Sequence, residues 1–292
     1  MPSTSYLDKN FKSSYYNKFR PSYPESLVDK VVSYHMKTPG NECNLLLDVG
    51  CGTGIATKLF VPKFKKCIAT DPSSAMLGCA RDNISKDANV VYKEVAGEKL
   101  AEDGNVALNS IDMVIGAQSI HWCNLDTLFE QVNKVLKPNG TFAFWFYTQP
   151  EFIELPGFTD LYYKYGWSDE FMGHYLTPYQ RHFFTKFNEN EELMNKLRKQ
   201  FTNIEFEISC HSQGHSDPNA PYYQTTEMSM EDLRHLVKTW SLYTSWVKNH
   251  PNDPKDIADR FVDEVINKFN ITDESKMFKV QWTTFYYVCR RS

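Results

Sequence analysis

The stretch LDVGCGTG, residues 47–54, is the segment that decides the fold of this chain. It follows an apolar run at 45–49 and precedes an amphipathic stretch at 55–64. This order predicts a strand, a glycine turn and a helix. Glycine at the turn allows a positive φ angle and lets the backbone approach a ligand closely. We therefore expect an α/β fold with a ligand site where the first strand meets the first helix.

The glycine spacing distinguishes between two kinds of nucleotide-binding turn. A dinucleotide-binding fold carries G-x-G-x-x-G, whereas Gly50, Gly52 and Gly54 give G-x-G-x-G with Ile55 next. Asp48 lies beside the turn, and its carboxylate would repel a pyrophosphate but attract a cationic ligand. The turn therefore favours a cationic ligand and disfavours the alternative of an NAD-dependent oxidoreductase.

The region after this turn alternates short apolar runs with amphipathic stretches. Near-continuous apolar strands that alternate with helices predict a parallel sheet covered by helices on both faces. The turn signal Lys137-Pro138-Asn139-Gly140 is expected to end a helix and precede the fifth strand. The further strands are predicted at 67–70, 90–95, 111–116 and 141–147, and the helices at 55–64, 73–83 and 125–136.

The pattern changes after residue 149, where the chain becomes rich in aromatic and charged residues. Helical stretches prevail from 150 to 202, followed by a strand at 204–209, a polar loop at 212–221, and helices at 229–249 and 256–269. The chain thus leaves the sheet and returns to it. We expect a separate N-terminal segment at 1–40, a core at 41–149, a helical cap at 150–278 with one core strand, and a closing strand at 279–292.

Asp71 provides a second acidic strand end, 23 positions after Asp48. A carboxylate at that place can accept hydrogen bonds from both hydroxyls of a ribose. The alternative is that Asp71 caps the N-terminus of the next helix.

The motifs together resemble those of class I S-adenosylmethionine-dependent methyltransferases. The likeness rests on LDVGCGTG, on DPSSAML at 71–77 and on VAGEKL at 95–100, and it extends over about residues 44–147. It implies a Rossmann-like seven-stranded sheet, helices on both faces, a mostly helical cap insertion, and S-adenosyl-L-methionine as the cofactor. The cofactor residues it implies are Asp48, Gly50, Cys51, Gly52, Asp71, Pro72, Met76, Ala96, Gly97, Glu98, Ala117 and Gln118.

The chain departs from common methyltransferase motifs at two places, and these departures narrow the range of family members that it resembles. Ala96 stands where many members carry an acid that binds the adenine amine, so that contact is lost or comes from elsewhere. The fourth strand ends in AQSIHW, residues 117–122, and lacks the Asn/Asp-Pro-Pro-Tyr element of DNA amino-methyltransferases. This ending resembles small-molecule methyltransferases of the trans-aconitate type. Because strand ends face the ligand crevice, His121 and Trp122 are expected near the transferred methyl group.

The N-terminal segment YYNKFRPSYP, residues 15–24, also resembles this subgroup, in which the segment lies over the substrate. Further likeness at 240–246 and 282–287 extends it to fungal methyltransferases of the cantharidin-resistance type. The resemblance implies a small acid, or a diacid derived from an anhydride, as the methyl acceptor. Arg20 could bind a substrate carboxylate through its planar guanidinium, and the alternative is a surface arginine.

Methyl transfer to a carboxylate requires no base, whereas for a hydroxyl or amine acceptor His121 is the candidate general base. Trp145 and Tyr147 alternate with core positions on the fifth strand and should face the same side, although simple core packing is the alternative. The cap is expected to close the pocket. The predicted substrate residues are Tyr16, Arg20, His121, Trp122, Trp145 and Tyr147.

Composition excludes several other classes of protein. The chain has 292 residues, a net charge of −4 and a pI near 6.1, which argues against a general nucleic-acid binder. No apolar run approaches the roughly 20 residues of a membrane span, and the polar N-terminus lacks a signal core. We therefore expect a cytoplasmic protein, monomeric by default. The alternative function is a methyltransferase or non-catalytic binder for an amphiphilic lipid.

The seven cysteines are odd in number and include no Cys-x-x-Cys pair, so we expect free thiols in a reducing compartment. Cys210, His211 and His215 lie close together in a polar loop, which is one arrangement that can bind a metal ion. No fourth ligand stands at a recognisable spacing. We therefore expect no metal site.

Overall fold

The computed structural model describes residues 19–178, 180–181, 191–209 and 225–292. Four residues of interest, Tyr16, Cys210, His211 and His215, lie outside these ranges. The six cysteines inside them carry free thiols, as predicted. Over the same ranges, no helix combines the length and apolar character needed to cross a bilayer, and no three potential metal ligands cluster.

Within the described part of the chain, eight strands form one mixed sheet. Their bounds are β1 Leu45–Val49, β2 Lys66–Asp71, β3 Val90–Glu94, β4 Ile111–Ala117, β5 Leu136–Phe152, β6 Phe201–Ser209, β7 Thr225–Met228 and β8 Phe278–Arg291. The strand order is β3-β2-β1-β4-β5-β8-β6, and β7 also pairs with β8. Strands β1 to β5 are parallel to one another, whereas β8 is antiparallel to β5, β6 and β7.

The sheet agrees with the expected Rossmann-like, seven-stranded arrangement and differs from it in two details. The short strand β7 is an eighth strand that the sequence pattern did not predict. Strand β5 begins earlier than predicted, and residues 137–140 lie within it rather than before it. The pairing shifts there: Leu136 pairs with Ile111 and Thr141 with Met113, so residues 137–140 stand opposite Asp112 alone. The turn residues are therefore accommodated as a bulge.

Nine α-helices are assigned within the described residues. Their bounds are α1 Glu25–Met36, α2 Ile55–Phe60, α3 Ser74–Asn83, α4 Leu125–Val135, α5 Phe158–Trp167, α6 Glu191–Arg198, α7 Met230–Lys238, α8 Ser241–Asn249 and α9 Ile257–Phe269. The single helix predicted at 229–249 is two helices, because Trp240 between α7 and α8 has an extended backbone, with φ −74° and ψ 141°.

Helices cover both faces of the sheet, as predicted. Leu46 and Leu47 are adjacent on β1, and both are fully buried in different clusters. Leu46 packs in the cluster that contains Val28 of α1 and Phe60 of α2. Leu47 belongs to the cluster that contains Phe129 of α4. Two successive apolar residues can both be buried because adjacent side chains on a strand point to opposite faces.

The cap forms a third hydrophobic cluster from α5, α7, α8 and α9, with Phe158, Leu233, Trp246 and Phe261 among its buried members. Tyr147 of β5 belongs to the same cluster and packs edge-on against Trp282 of β8, with ring centroids 5.0 Å apart. The cap is therefore packed directly on β5 and β8.

Candidate active site

The strand order reverses at β1, which has β2 on one side and β4 on the other. In open α/β sheets this reversal leaves a crevice at the carboxyl ends of the strands, where ligands bind. The loops that follow β1, β2 and β4 carry the predicted cofactor motifs. The fold thus brings these separate motifs to one place.

The loop after β1 requires glycine at two positions for different reasons. Gly50 has φ 65°, and a Cβ atom there would stand 2.6 Å from Cβ of Ser119. Ser119 is held in place because its hydroxyl donates to the carbonyl of Val49 at 2.6 Å. Gly52 has φ 55°, but a Cβ atom there would meet nothing within 4 Å. The loop is therefore packed tightly at Gly50 and open to a ligand at Gly52.

Asp71 at the end of β2 is tied to both neighbouring loops. Its Oδ2 accepts from the Gly52 amide at 3.0 Å, and its Oδ1 accepts from the Ser73 amide at 2.8 Å. Burial raises the pKa of this carboxyl group, and the two amide hydrogen bonds oppose that effect. The N-cap of α3 is Ser73, whose hydroxyl accepts from the Met76 amide at 3.4 Å. The alternative of Asp71 as the helix cap therefore does not apply.

Asp48 is fully buried beside the glycine loop. Its Oδ2 accepts a hydrogen bond of 2.6 Å from the Thr57 hydroxyl, while its Oδ1 has no hydrogen-bond partner. Burial raises the pKa of this carboxyl group to about 7, against the lowering effect of the Thr57 bond. An unpaired buried carboxylate oxygen next to the open Gly52 fits a ligand that carries a positive charge and hydrogen-bond donors. S-adenosylmethionine has both.

A cavity of about 290 Å³ occupies this crevice. Every residue that the resemblance assigned to the cofactor lines it. Those residues are Asp48, Gly50, Cys51, Gly52, Asp71, Pro72, Met76, Ala96, Gly97, Glu98, Ala117 and Gln118. Glu98 also accepts from the Asn124 amide at 2.8 Å, which ties the loop after β3 to the start of α4. We call this space the cofactor cavity.

A second cavity of about 140 Å³ adjoins the first, and we call it the acceptor cavity. The two share four lining residues, Arg20, Gln118, Trp122 and Tyr147. The acceptor cavity is otherwise lined by β5, the cap and the turn that carries His121. Its described lining includes four tryptophans and two tyrosines, and its charged member is Arg20: Arg20, Gln118, His121, Trp122, Tyr147, Thr148, Pro150, Tyr162, Gly166, Trp167, Leu176, Gln180, Trp240, Ser241, Leu242 and Trp282.

Arg20 lies where the two cavities meet, and its Nη2 donates to the carbonyl of Thr239 at 3.1 Å. Thr239 caps the C-terminus of α7. Phe19, the preceding residue, stacks on His235 of the same helix, with ring centroids 4.4 Å apart. The N-terminal segment is therefore attached to the cap at the boundary between the cavities.

His121 sits in the 3₁₀ turn Ile120–Trp122 that follows β4. It lines the acceptor cavity and its ring lies 5.2 Å from that of Trp122. Burial and, to a smaller extent, the positive charge of Arg20 lower the pKa of His121 to about 3. The imidazole is therefore neutral at physiological pH and is a weak base.

Gln118 has a left-handed backbone, with φ 52°, which is uncommon for a residue other than glycine. Two hydrogen bonds to β5 hold it: its amide donates to the Trp145 carbonyl at 3.0 Å, and its Nε2 donates to the Tyr147 carbonyl at 2.7 Å. This conformation places Gln118 in the wall between the two cavities. Non-glycine residues in such strained positions concentrate at functional sites.

Trp145 was predicted to contact the substrate, but it lines neither cavity. It is 1% exposed and packs between Phe60 of α2 and Tyr23, with ring centroids 6.0 Å and 5.6 Å away. Tyr147, two residues further along β5, lines both cavities. Strand alternation puts the side chains of Trp145 and Tyr147 on one face of β5. Trp145 is paired with Ala117, the last residue of β4, so only Tyr147 lies beyond the end of that strand.

Several other lining residues were not predicted from the sequence. Tyr162 and Gln180 of the acceptor cavity come from the cap, where no local motif marks them. Trp240 and Trp282 lie in the C-terminal stretches that resemble the subgroup, and that likeness was the available signal. Tyr23 of the cofactor cavity lies within the N-terminal motif in the same way.

Comparison with known proteins shows which family the chain belongs to. Residues 47–144 match the family described as "Methyltransferase domain". The Saccharomyces cerevisiae protein named "Probable S-adenosylmethionine-dependent methyltransferase CRG1" is 42% identical over 302 residues, which cover 100% of this chain and 99% of that protein.

Two solved structures have a similar fold. One is the "Putative Type II Methyltransferase" of Anaeromyxobacter dehalogenans, with a TM-score of 0.66, 19% identity, and coverage of 93% of this chain and 98% of that chain. The other is phosphoethanolamine N-methyltransferase 2 of Haemonchus contortus with S-adenosyl-L-methionine, with a TM-score of 0.53, 17% identity, and coverage of 100% of this chain and 60% of that chain. At this identity the structures are informative about the fold alone.

The sheet order, the cofactor cavity and the full-length yeast relative lead to the same assignment. The residues of the cavity also fit the charge and the hydrogen-bonding groups of the cofactor. The chain therefore belongs to the class I S-adenosylmethionine-dependent methyltransferases, and S-adenosylmethionine is its cofactor.

Proposed function

We propose that this methyltransferase transfers a methyl group to a carboxylate oxygen of a small acid that has an apolar body. The observation that carries the proposal is the charge of the acceptor cavity. Arg20 is cationic, and the described residues of the lining include no carboxylate. Such a cavity favours an anionic acceptor and repels an ammonium group.

Arg20 is suited to bind the reacting carboxylate. It lines both cavities, so a carboxylate bound to it stands next to the cofactor. Its bond to the Thr239 carbonyl fixes the guanidinium, and this reduces the entropy lost on binding a planar anion. The N-terminal segment and the cap would thus act together in covering the acceptor.

The neutral state of His121 supports the same class of acceptor. A carboxylate is already ionised at neutral pH and requires no base, whereas an alcohol or a protonated amine must lose a proton. With a pKa of about 3, His121 is poorly suited to accept that proton. We assign His121 the role of contacting and orienting the acceptor in the cavity.

S-adenosylmethionine supplies a methyl group that is already activated on its sulfonium. The protein's task is then to align the acceptor oxygen and exclude water. Gln118, Trp122 and Tyr147 form the wall shared by the two cavities and would set this alignment. The cap would exclude water through Tyr162 and Trp240, which line the acceptor cavity but not the cofactor cavity.

The aromatic walls and the small volume of the acceptor cavity indicate the size and polarity of the part of the acceptor that is not methylated. Four tryptophans and two tyrosines provide apolar contact. A volume of about 140 Å³ is below the roughly 300–1,000 Å³ of typical ligand pockets, so the acceptor should be small. The sequence resemblance implies a diacid derived from cantharidin or an acid like trans-aconitate. The cantharidin diacid has both the carboxylates and the apolar body, whereas trans-aconitate has the carboxylates but little apolar surface. An amphiphilic lipid remains the alternative acceptor or ligand and would need a larger space.

The test is methyl transfer to matched acceptors. We would incubate the protein with S-adenosylmethionine and, separately, cyclohexanecarboxylate, cyclohexanol, cyclohexylamine, the cantharidin diacid or a lysophospholipid, and identify products by mass spectrometry. We expect methyl esters of the acids. Methylation of the amine, the alcohol or the lipid in preference to the acids would contradict the proposal.

A pair of arginine variants tests the carboxylate contact. Arg20→Gln should raise the KM for the best acid at least tenfold, because the guanidinium contact is lost. Arg198→Gln is the matched control, since Arg198 is exposed on α6 and bonds Asn195. Equal KM values for the two variants would contradict the assignment of Arg20.

A further inference from the structure

We infer that Gln180 determines acceptor specificity by donating a hydrogen bond to an oxygen of the acceptor that is not methylated. The inference rests on the proposed function and adds a second recognition point to the acceptor cavity. Gln180 belongs to no motif that the sequence revealed, and its role follows from its position and orientation.

The position of Gln180 separates it from the reacting end of the acceptor cavity. It lines this cavity but not the cofactor cavity, in contrast to Arg20 and Gln118, which line both. Gln180 is buried, with only 5% of its surface exposed. Whatever part of the acceptor contacts Gln180 is therefore away from the boundary where the methyl group is transferred.

The orientation of the Gln180 amide is fixed by Thr177. Its Oε1 accepts from both the amide and the hydroxyl of Thr177, each at 3.1 Å, and its own backbone amide donates back to that hydroxyl at 3.1 Å. These bonds occupy the carbonyl side of the amide. The Nε2 group of Gln180 can only donate hydrogen bonds, and it is the part of the amide that can bond a ligand in the cavity.

The surroundings of Gln180 favour an oxygen on the ligand. When a bound ligand excludes water from the cavity, an amide donor that the ligand leaves unpaired is costly, so the acceptor should offer an oxygen to this donor. The described lining of the cavity holds no carboxylate that would compete for this donor. A carboxylate or carbonyl oxygen on the acceptor would fill this role, and a purely apolar group would leave the donor unpaired.

The experiment uses two acids with the same ring, cyclohexanecarboxylate and cis-cyclohexane-1,2-dicarboxylate. We would measure kcat/KM for both, and the affinity of each for the protein saturated with S-adenosylhomocysteine, in wild type and in Gln180→Met and Gln180→Glu. The methionine variant keeps the length of the side chain but removes the donor. The glutamate variant replaces the donor with an acceptor.

We expect wild type to prefer the diacid about tenfold or more, and Gln180→Met to lose most of this preference because its kcat/KM falls much further for the diacid than for the monoacid. Gln180→Glu should weaken the diacid further, because two carboxylates would then meet. Affinity for S-adenosylhomocysteine should be unchanged in both variants, which separates recognition from a loss of folding.

Two results would overturn the inference without affecting the proposed function. One is a wild-type enzyme that methylates both acids equally well. The other is a pair of variants that lose both acids in equal proportion. If wild type neither binds nor methylates either acid while it methylates an amine or alcohol, the proposed function itself fails, and the inference fails with it.

Discussion

Replacing Asp48 with asparagine is expected to remove a pH-dependent loss of stability and, at the same time, to weaken cofactor binding. The carboxylate of Asp48 is fully buried, and only one of its oxygens has a hydrogen-bond partner. Burial of an incompletely paired carboxylate favours the protonated form in the folded protein. Asparagine has nearly the same shape but cannot ionise.

The magnitude follows from the shift in the pKa of Asp48 from 3.8 to about 7. The folded state holds this proton to a higher pH than the unfolded state does, so the contribution of Asp48 to stability falls as the pH rises from about 4 to about 7. With about 1.4 kcal/mol for each pKa unit, wild type should lose about 2.5 kcal/mol from this group between about pH 5 and pH 8.

The assay is urea unfolding of the unliganded protein at several pH values over this range, for wild type and Asp48→Asn. The difference in unfolding free energy between the two should shift by about 2.5 kcal/mol in favour of the variant. Other titrating groups cancel in the difference. Parallel pH dependences for the two proteins would refute the assignment of a raised pKa to Asp48.

Calorimetry tests the link to the cofactor. Wild type should bind S-adenosylmethionine more tightly at pH 8 than at pH 5, because the ionised carboxylate is the form that attracts this cationic ligand. Asp48→Asn should bind more weakly and lose this pH dependence. Asp112→Asn is the control: Asp112 is a buried carboxylate at the other end of the sheet, bonded to the Leu45 amide and to Lys137, and its variant should retain cofactor affinity.

Three further variants test the site. Gly50→Ala should abolish cofactor binding and lower stability by about 2 kcal/mol or more, since its Cβ would stand 2.6 Å from Ser119 at a positive φ; unchanged calorimetric binding would contradict this. His121→Gln should leave the pH–rate profile unchanged in shape, because a group with a pKa of about 3 contributes no limb near neutrality; a limb near pH 6.5 that the variant removes would restore the general base. Trp145→Phe should lower the unfolding free energy by roughly 1–3 kcal/mol, with the KM values for cofactor and acceptor unchanged; a selective rise in the acceptor KM would return Trp145 to the pocket.

The cofactor half of the site could be predicted because it depends on strand ends. Each of its motifs follows a strand of a parallel sheet, and parallel strands place their carboxyl ends at one edge. Asp48 and Asp71 therefore come together although 23 positions separate them. The local sequence marks both the strand and the residue that follows it.

The acceptor half depends on packing between distant parts of the chain, which short-range patterns do not reveal. Gln180 and Tyr162 reach the cavity only because the cap folds onto β5 and β8. The alternation of β5 predicted that Trp145 and Tyr147 share a face, but the contacts of Phe60 and Tyr23 decide which of them is covered. The short strand β7 was missed because its pairing with β8 is likewise a long-range contact.

The position of β8 in the sheet has a consequence for the order in which the protein can assemble. Strand β6 is made before β8, yet among the described strands its partner is β8, which lies between β6 and β5. During synthesis, β6 lacks this partner strand, and the edge that pairs with β8 stays unpaired until β8 has left the ribosome. Contacts of such long sequence separation form slowly, and an unpaired strand edge is prone to aggregate. We therefore expect the nascent chain to need protection in this interval, after the cofactor half has already been made.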